Sequence, residues 1–311
     1  METIALYFGK VNLVSEEIND VLDGKIGLRS ILQDVLAALQ DGTSYIYDKP
    51  IRTDEGFKTE KIEYSIAIKE RGLSSIQGYL YKKSYIHYKD YNRQTKELDS
   101  KRVPNTEGIE FYYDAFREMI AYQRALRFGY KEVLKAFEGI INNACINAKL
   151  KYKFCLNQYT EGLDLDQLTR ELQNQGPVQK INIKYQIPNP ESDLLSEIRI
   201  NREKTIADFA SANLTVKNVM YQTNSERGIN LESDIIKEEL KNISNMHSKI
   251  DAKKAIQNGY VVVETTDING LTKSSADMRP IIKHIEEYKD FGEEAKISIM
   301  NVVVKEIQVD Q

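Results

Sequence analysis

Between Lys61 and Lys69 the chain alternates strictly, with Ile62, Tyr64, Ile66 and Ile68 on one side and Glu63, Ser65, Ala67 and Lys69 on the other. A period of two belongs to a strand with one buried face; a helix of 3.6 residues per turn would scatter those four apolar side chains around its axis. Gly72 and Gly78 bracket a short connection into a second extended run, Tyr79 to Tyr91. A chain that opens with long strands of this kind must build a sheet and then cover it. The covers are legible too. Leu28, Ile31, Leu32, Val35, Leu36 and Leu39 recur at helical spacing before Asp41-Gly42, and Val133, Leu134, Phe137, Ile140, Ile141, Cys145 and Ile146 form a stripe along a helix over 130–149.

The same reading predicts strands over 3–14, 109–113, 151–156, 178–187, 216–221 and 297–309, and helices over 163–173, 192–213, 231–257 and 280–288. Residues 92–107, with Pro104, read as a polar loop, and 115–128 is open between strand and helix. Val261-Val262-Val263 leads to Asn269-Gly270, a pair that suits a type I′ turn and so a hairpin. Strands and helices alternate irregularly. The expected class is therefore α+β, with mixed, largely antiparallel sheets and hairpins packed against several long helices.

At 311 residues the chain has room for one large domain or two. Pro188-Asn189-Pro190 can continue neither a helix nor a central strand, which suggests units over 1–187 and 191–311. The N-terminus lacks the basic and apolar regions of a signal peptide, and no run approaches the ~20 apolar residues of a membrane span. A cytoplasmic protein without membrane insertion is expected. Two cysteines, Cys145 and Cys155, make neither a disulfide framework nor a complete zinc site.

The net charge of −4 is unevenly distributed. Residues 79–153 hold 15 basic and 9 acidic side chains, net +6, whereas residues 1–78 carry −4 and 186–311 carry −5. Within the basic stretch, an extended 79–91 places Tyr79, Tyr81, Lys83, Tyr85, His87, Lys89 and Tyr91 on one face. Tyrosine rings stack on bases and ammonium groups contact phosphate. The candidate nucleic-acid site is thus Tyr81, Lys82, Lys83, Tyr85, His87, Lys89 and Tyr91, extended by Arg93, Lys101 and Arg102 (with Lys96) from the segment that follows. The competing reading is a strand-forming tyrosine run whose lysines protect an exposed edge.

Catalytic patterns are scarce. Nothing matches G-x-x-x-x-G-K-[ST], G-x-G-x-x-G, H-E-x-x-H or G-x-S-x-G, and His87, His247 and His284 stand apart. No cofactor, metal or catalytic residue is expected. A diverged metal-dependent nuclease would need converging carboxylates, for which Glu264 with Asp267, or Glu286 with Glu287, are the candidates. On the 231–257 helix, Leu240, Ile243, His247 and Ile250 step by three and four, a seam that suits either a second copy or the chain's own core.

Three features also carry a resemblance: the early helix Leu28 to Leu39, the basic strand Ser75 to Tyr91, and the strand Val178 to Pro190 ending in a proline stop. Their order resembles the DNA-binding A component of the lambda Rex phage-exclusion system and the DNA-binding B component of the Kiwa anti-phage system, across about half the chain. The resemblance implies a non-enzymatic, dimeric DNA-binding sensor or partner subunit of a prokaryotic defence module; from the residues themselves the expected partners are DNA or RNA, further copies of the chain in a homo-oligomer and a second defence subunit. The alternatives from the residues themselves are a structural adaptor whose tyrosine-rich strand binds protein by edge pairing, and the diverged nuclease.

Overall fold

The computed structural model describes residues 2–53, 56–123, 128–189, 204–244, 250–287 and 300–307. Every strand pairing among them is antiparallel, and α+β is the class. The first strand, β1 (Glu2–Leu13), is followed by two helices, α1 (Glu17–Leu22) and α2 (Leu28–Ala38). Four long strands then meander: β2 (Ser44–Thr53), β3 (Gly56–Arg71), β4 (Ser75–Asn92) and β5 (Glu97–Asp114). A tight turn returns the chain along β6 (Met119–Gln123), and α3 (Tyr130–Asn147) crosses the sheet. Next come β7 (Phe154–Gln158), α4 (Leu165–Gln173) and β8 (Val178–Gln186). The remainder comprises α5 (Lys204–Ser211), β9 (Val216–Gln222), α6 (Asp234–Ser244), α7 (Ala252–Gln257), β10 (Val261–Asp267), β11 (Thr272–Ser274), β12 (Ile282–Glu287) and a helix α8 over 300–307.

The larger sheet runs β12-β1-β6-β5-β4-β3-β2, with β7 also on β1, and the smaller runs β11-β10-β8-β9. β1 is the hub, since its first half pairs with β12, its middle with β6 and its second half with β7. The alternation over 61–69 is used as its period dictates: Ile62, Tyr64 and Ile66 are buried beneath α2 and α3 in the main apolar cluster. That cluster continues through Leu168, Leu172, Ile181, Ile183, Leu240 and Val261, so the helices of the second sheet share it. On the opposite face of the large sheet, Met300, Val304 and Ile307 of α8 close a smaller cluster over Leu6, Phe8, Tyr112 and Tyr159.

Four expectations are corrected. Residues 97–107 are strand rather than loop. Pro104 lies opposite Tyr85 where β5 has β4 on one side only, and a strand with an open edge tolerates a residue without an N–H. The expected helix 231–257 is two, because the Asp251 carboxylate accepts the Lys254 amide at 2.8 Å and caps a fresh start. Residues 282–287 form a strand along β1 instead of a helix, and 300–307 form a helix instead of a strand. Both segments are short apolar runs whose type is decided by the partner available, a sheet edge in one case and a sheet face in the other.

Pro188 and Asn189 do not form a solvated linker. The Asn189 amide is buried, with its Oδ1 accepting the Leu13 amide at 3.2 Å and its Nδ2 donating to the Glu118 carboxylate. Glu118 in turn pairs with buried Lys10 at 3.3 Å, and its own backbone is left-handed, φ 54°, in the turn between β5 and β6. Strands are paired across this point: β8 with β9 and β10, and β1 with β12.

Candidate nucleic-acid interface

β4 and β5 stay in register over their whole length, from Ser75↔Asp114 to Asn92↔Glu97. β3 leaves β4 much earlier, at Glu63↔Lys83. Beyond Lys83 the sheet therefore splits into two prongs, β2–β3 and β4–β5. The second is a two-stranded ribbon whose nine unaccompanied pairs span about 30 Å at ~3.4 Å per residue. Its outer residues, Tyr85, Tyr88, Lys89, Asp90, Tyr91, Arg93 and Lys96 to Leu98, are all exposed.

Strand parity sorts the ribbon's charges. Cross-strand partners share a face, so Tyr85, His87, Lys89 and Tyr91 lie with Pro104, Arg102, Ser100 and Leu98. This face carries two permanent cations and a histidine, and no carboxylate of its own. The other face carries Ile86, Tyr88 and Asp90 opposite Val103, Lys101 and Asp99. Asp90 and Asp99 are directly opposed there, which two strands tolerate only with a counter-charge. Lys101 supplies it: its ammonium pairs with Asp90, holding that carboxyl below and the lysine above their ordinary ranges. Arg93 and Lys96 stand in the turn, Lys96 with a left-handed backbone, φ 56°.

The ten predicted residues are thus divided. Lys89, Tyr91 and Arg93 come together on or beside the basic face at the outer end, with Tyr85, His87 and Arg102 behind them. The Arg102 guanidinium lies 4.8 Å from the Tyr85 ring centre, and His87 Nε2 stands 3.0 Å from Glu60 of the other prong. Lys83 at the root is paired with Glu63 at 3.0 Å, and Tyr81 is half-buried with its ring 5.8 Å from that of Tyr79. Gly108 stands opposite Tyr81, and a Cβ there would meet the ring at 3.0 Å.

Lys82 and Lys101 do not belong with these. Lys82 points to the helical side, where its ammonium is 2.8 Å from Glu132 of α3. The same carboxylate accepts the Tyr64 hydroxyl at 2.6 Å, and burial, reinforced by Glu132, pushes that hydroxyl's pKa far up. Lys101 is on the acidic face. Sequence reasoning missed the second strand of the ribbon altogether, because Pro104 and a run of polar residues read as loop. The signal that could have found it is the alternation Leu98, Ser100, Arg102 against Asp99, Lys101, Val103.

The other candidates are placed as follows. Leu240, Ile243 and Ile250 are buried in this chain's own core at 5%, 0% and 7% exposure, so the seam is covered from within; His247 lies outside the described residues. The Asp267 carboxylate accepts the Asn269 and Leu271 amides at 2.9 and 2.8 Å and so organises its turn. That turn is a three-residue loop with Gly270 left-handed, φ 79°, rather than a two-residue type I′ turn. Glu264 faces the Asn182 amide at 3.4 Å. Glu286 and Glu287 sit on β12, at the register of Thr3 and Glu2. Among the described residues no three potential metal ligands converge, and no helix is long and apolar enough to cross a membrane.

Fold and site together define an antiparallel α+β protein with a projecting, charge-sorted β-ribbon. Residues 44–305 match a family model described as a domain of unknown function (DUF4747), and the chain belongs to that family. The match includes both prongs of the sheet. No curated protein matches the chain.

Proposed function

We propose that this chain is a cytoplasmic nucleic-acid-binding protein whose β4–β5 ribbon makes the contact, acting as a non-enzymatic sensor or partner subunit. The resemblance in layout to anti-phage DNA-binding components supplies the setting, a prokaryotic defence module. One observation carries the reading: the ribbon's two faces differ in charge, and the face bearing Lys89, Tyr91 and Arg102 holds no carboxylate of its own. A ribbon built only for solubility would mix its signs on both faces. Phosphate contacts dominate nucleic-acid affinity, so a local cationic face outweighs the chain's net −4.

The test is fluorescence anisotropy with single-stranded and duplex probes at two salt concentrations. Replacing Lys89, Arg93 and Lys96 together by alanine is expected to weaken binding to all sequences alike and to lower the salt slope by about 2 to 3 units, near 0.9 per lost phosphate contact. Unchanged affinity in this variant would remove the ribbon as the site.

A further inference from the structure

We infer that the ribbon's ligand is B-form duplex DNA, taken through its major groove. This rests on the reading of the ribbon as a nucleic-acid contact and narrows it to one class. The rings do not make a single-strand platform. Such platforms need successive open aromatic faces. Here Tyr79 is flanked by the Tyr81 ring and by the Lys69 ammonium, 4.3 Å from its ring centre. Tyr85 is covered by Arg102, and Tyr88 lies on the acidic side. On the basic face Tyr85 and Tyr91 both keep exposed rings, but the Arg102 guanidinium occupies one face of the former, so no run of successive open rings is presented.

Shape favours a groove instead. From Ser84 to Asn92 no third strand pairs with the ribbon, although Glu60 of the other prong reaches His87. A B-form major groove, about 12 Å wide, admits a two-stranded ribbon, whereas the A-form major groove is too deep and narrow for side chains to read. In such a pose the basic face turns to the DNA, where Lys89, Arg93 and Arg102 reach base edges or the flanking phosphates. Asp90 and Asp99 then face solvent, away from the phosphates, which is the arrangement that strand parity has already made. The neighbouring prong exposes Lys49, Arg52 and Lys61, with Glu60 opposite Lys49 and Asp48 opposite Lys61.

The experiment compares four probes of one sequence, each about 24 nucleotides per strand: DNA duplex, RNA duplex, DNA single strand, and DNA duplex whose cytosines carry a glucosylated 5-hydroxymethyl group filling the major groove. The full chain is expected to prefer the plain DNA duplex by roughly tenfold or more over the other three, the scale of one to three lost groove contacts. Netropsin, which occupies the minor groove, is expected to change the affinity by less than about twofold. Equal or tighter binding of the RNA duplex or the single strand, indifference to glucosylation, or displacement by netropsin would each overturn the groove assignment. If the Lys89, Arg93, Lys96 variant nevertheless loses binding, the ribbon remains the nucleic-acid site and only the groove falls. If no probe binds, or the variant binds like the parent, the broader reading falls with it.

Discussion

The least expected residues are the buried polar ones. Lys10 and Glu118 are 2% and 5% exposed at the side chain, and their pair is completed by the Asn189 amide and the Arg117 carbonyl. Removing one member of a buried pair leaves an uncompensated charge, at a cost of about 3 to 5 kcal/mol. Glu118→Ala should show that loss in urea denaturation, and a cost under about 1 kcal/mol would mean the pair is solvated. Asn189→Ala removes hydrogen bonds without orphaning a charge and should cost about 1 to 3 kcal/mol. None of this was legible in the sequence, where Asn between two prolines reads as a linker. Pro188, with its fixed φ, leads into the amide that Asn189 delivers to the end of β1. Cys145 offers a second test. Burial pushes its thiol up to about 11, so its thiolate at pH 8 is about a hundredfold scarcer than that of a thiol near 9. In the native protein, Cys145 should resist iodoacetamide and react only after urea is added; rapid native labelling read by peptide mass spectrometry would contradict its placement.

At the level of elements, period and partner contributed unequally. The strict alternation of β3 and the stripes of α2 and α3 fixed their types locally, because each has one face buried and one in water. The segments that went the other way, 97–107, 282–287 and 300–307, carry patterns that two structures satisfy, and the neighbour decides. Of the candidate site, the odd positions from Tyr85 to Tyr91 were legible from pleat alone. The opposite strand was not, nor was the pairing of Lys82 with α3. The ribbon buries little, so exchanging residues 85–104 for Asn-Gly, which joins the opposed Ser84 and Asn105 by a two-residue turn, should move the melting temperature by no more than a few degrees while abolishing nucleic-acid binding. Calorimetry and anisotropy on the same sample separate the two effects. Gly78 sits at the ribbon's foundation beside the β3 bulge, where an added Cβ would lie 1.9 Å from the Ala67 carbonyl oxygen. Backbone cannot yield as a side chain does, so Gly78→Ala should destabilise by about 2 kcal/mol or more.

At the scale of the whole molecule, many protons are held by burial. Tyr64, Tyr113, Tyr122 and Tyr185 are all raised, chiefly by desolvation, as is Cys145. Each raised group favours the folded state fully below its unfolded pKa, and that contribution is lost as pH rises toward the folded value. Stability should therefore hold to about pH 9, where the unfolded thiol begins to ionise, and fall through the tyrosine range near 10 and beyond. Melting curves at pH 7, 9 and 10.5 test the sign; a protein as stable at 10.5 as at 7 would refute it. The three-partner strand β1 has a consequence for synthesis as well. One edge of residues 2–7 pairs with 282–287, so at about 5 to 20 residues per second that edge of the N-terminal strand waits roughly 15 to 60 s for its mate to leave the ribosome. Until then it is an open template for any passing strand, and slowing or stalling translation beyond residue 260 should raise the fraction of chains that aggregate.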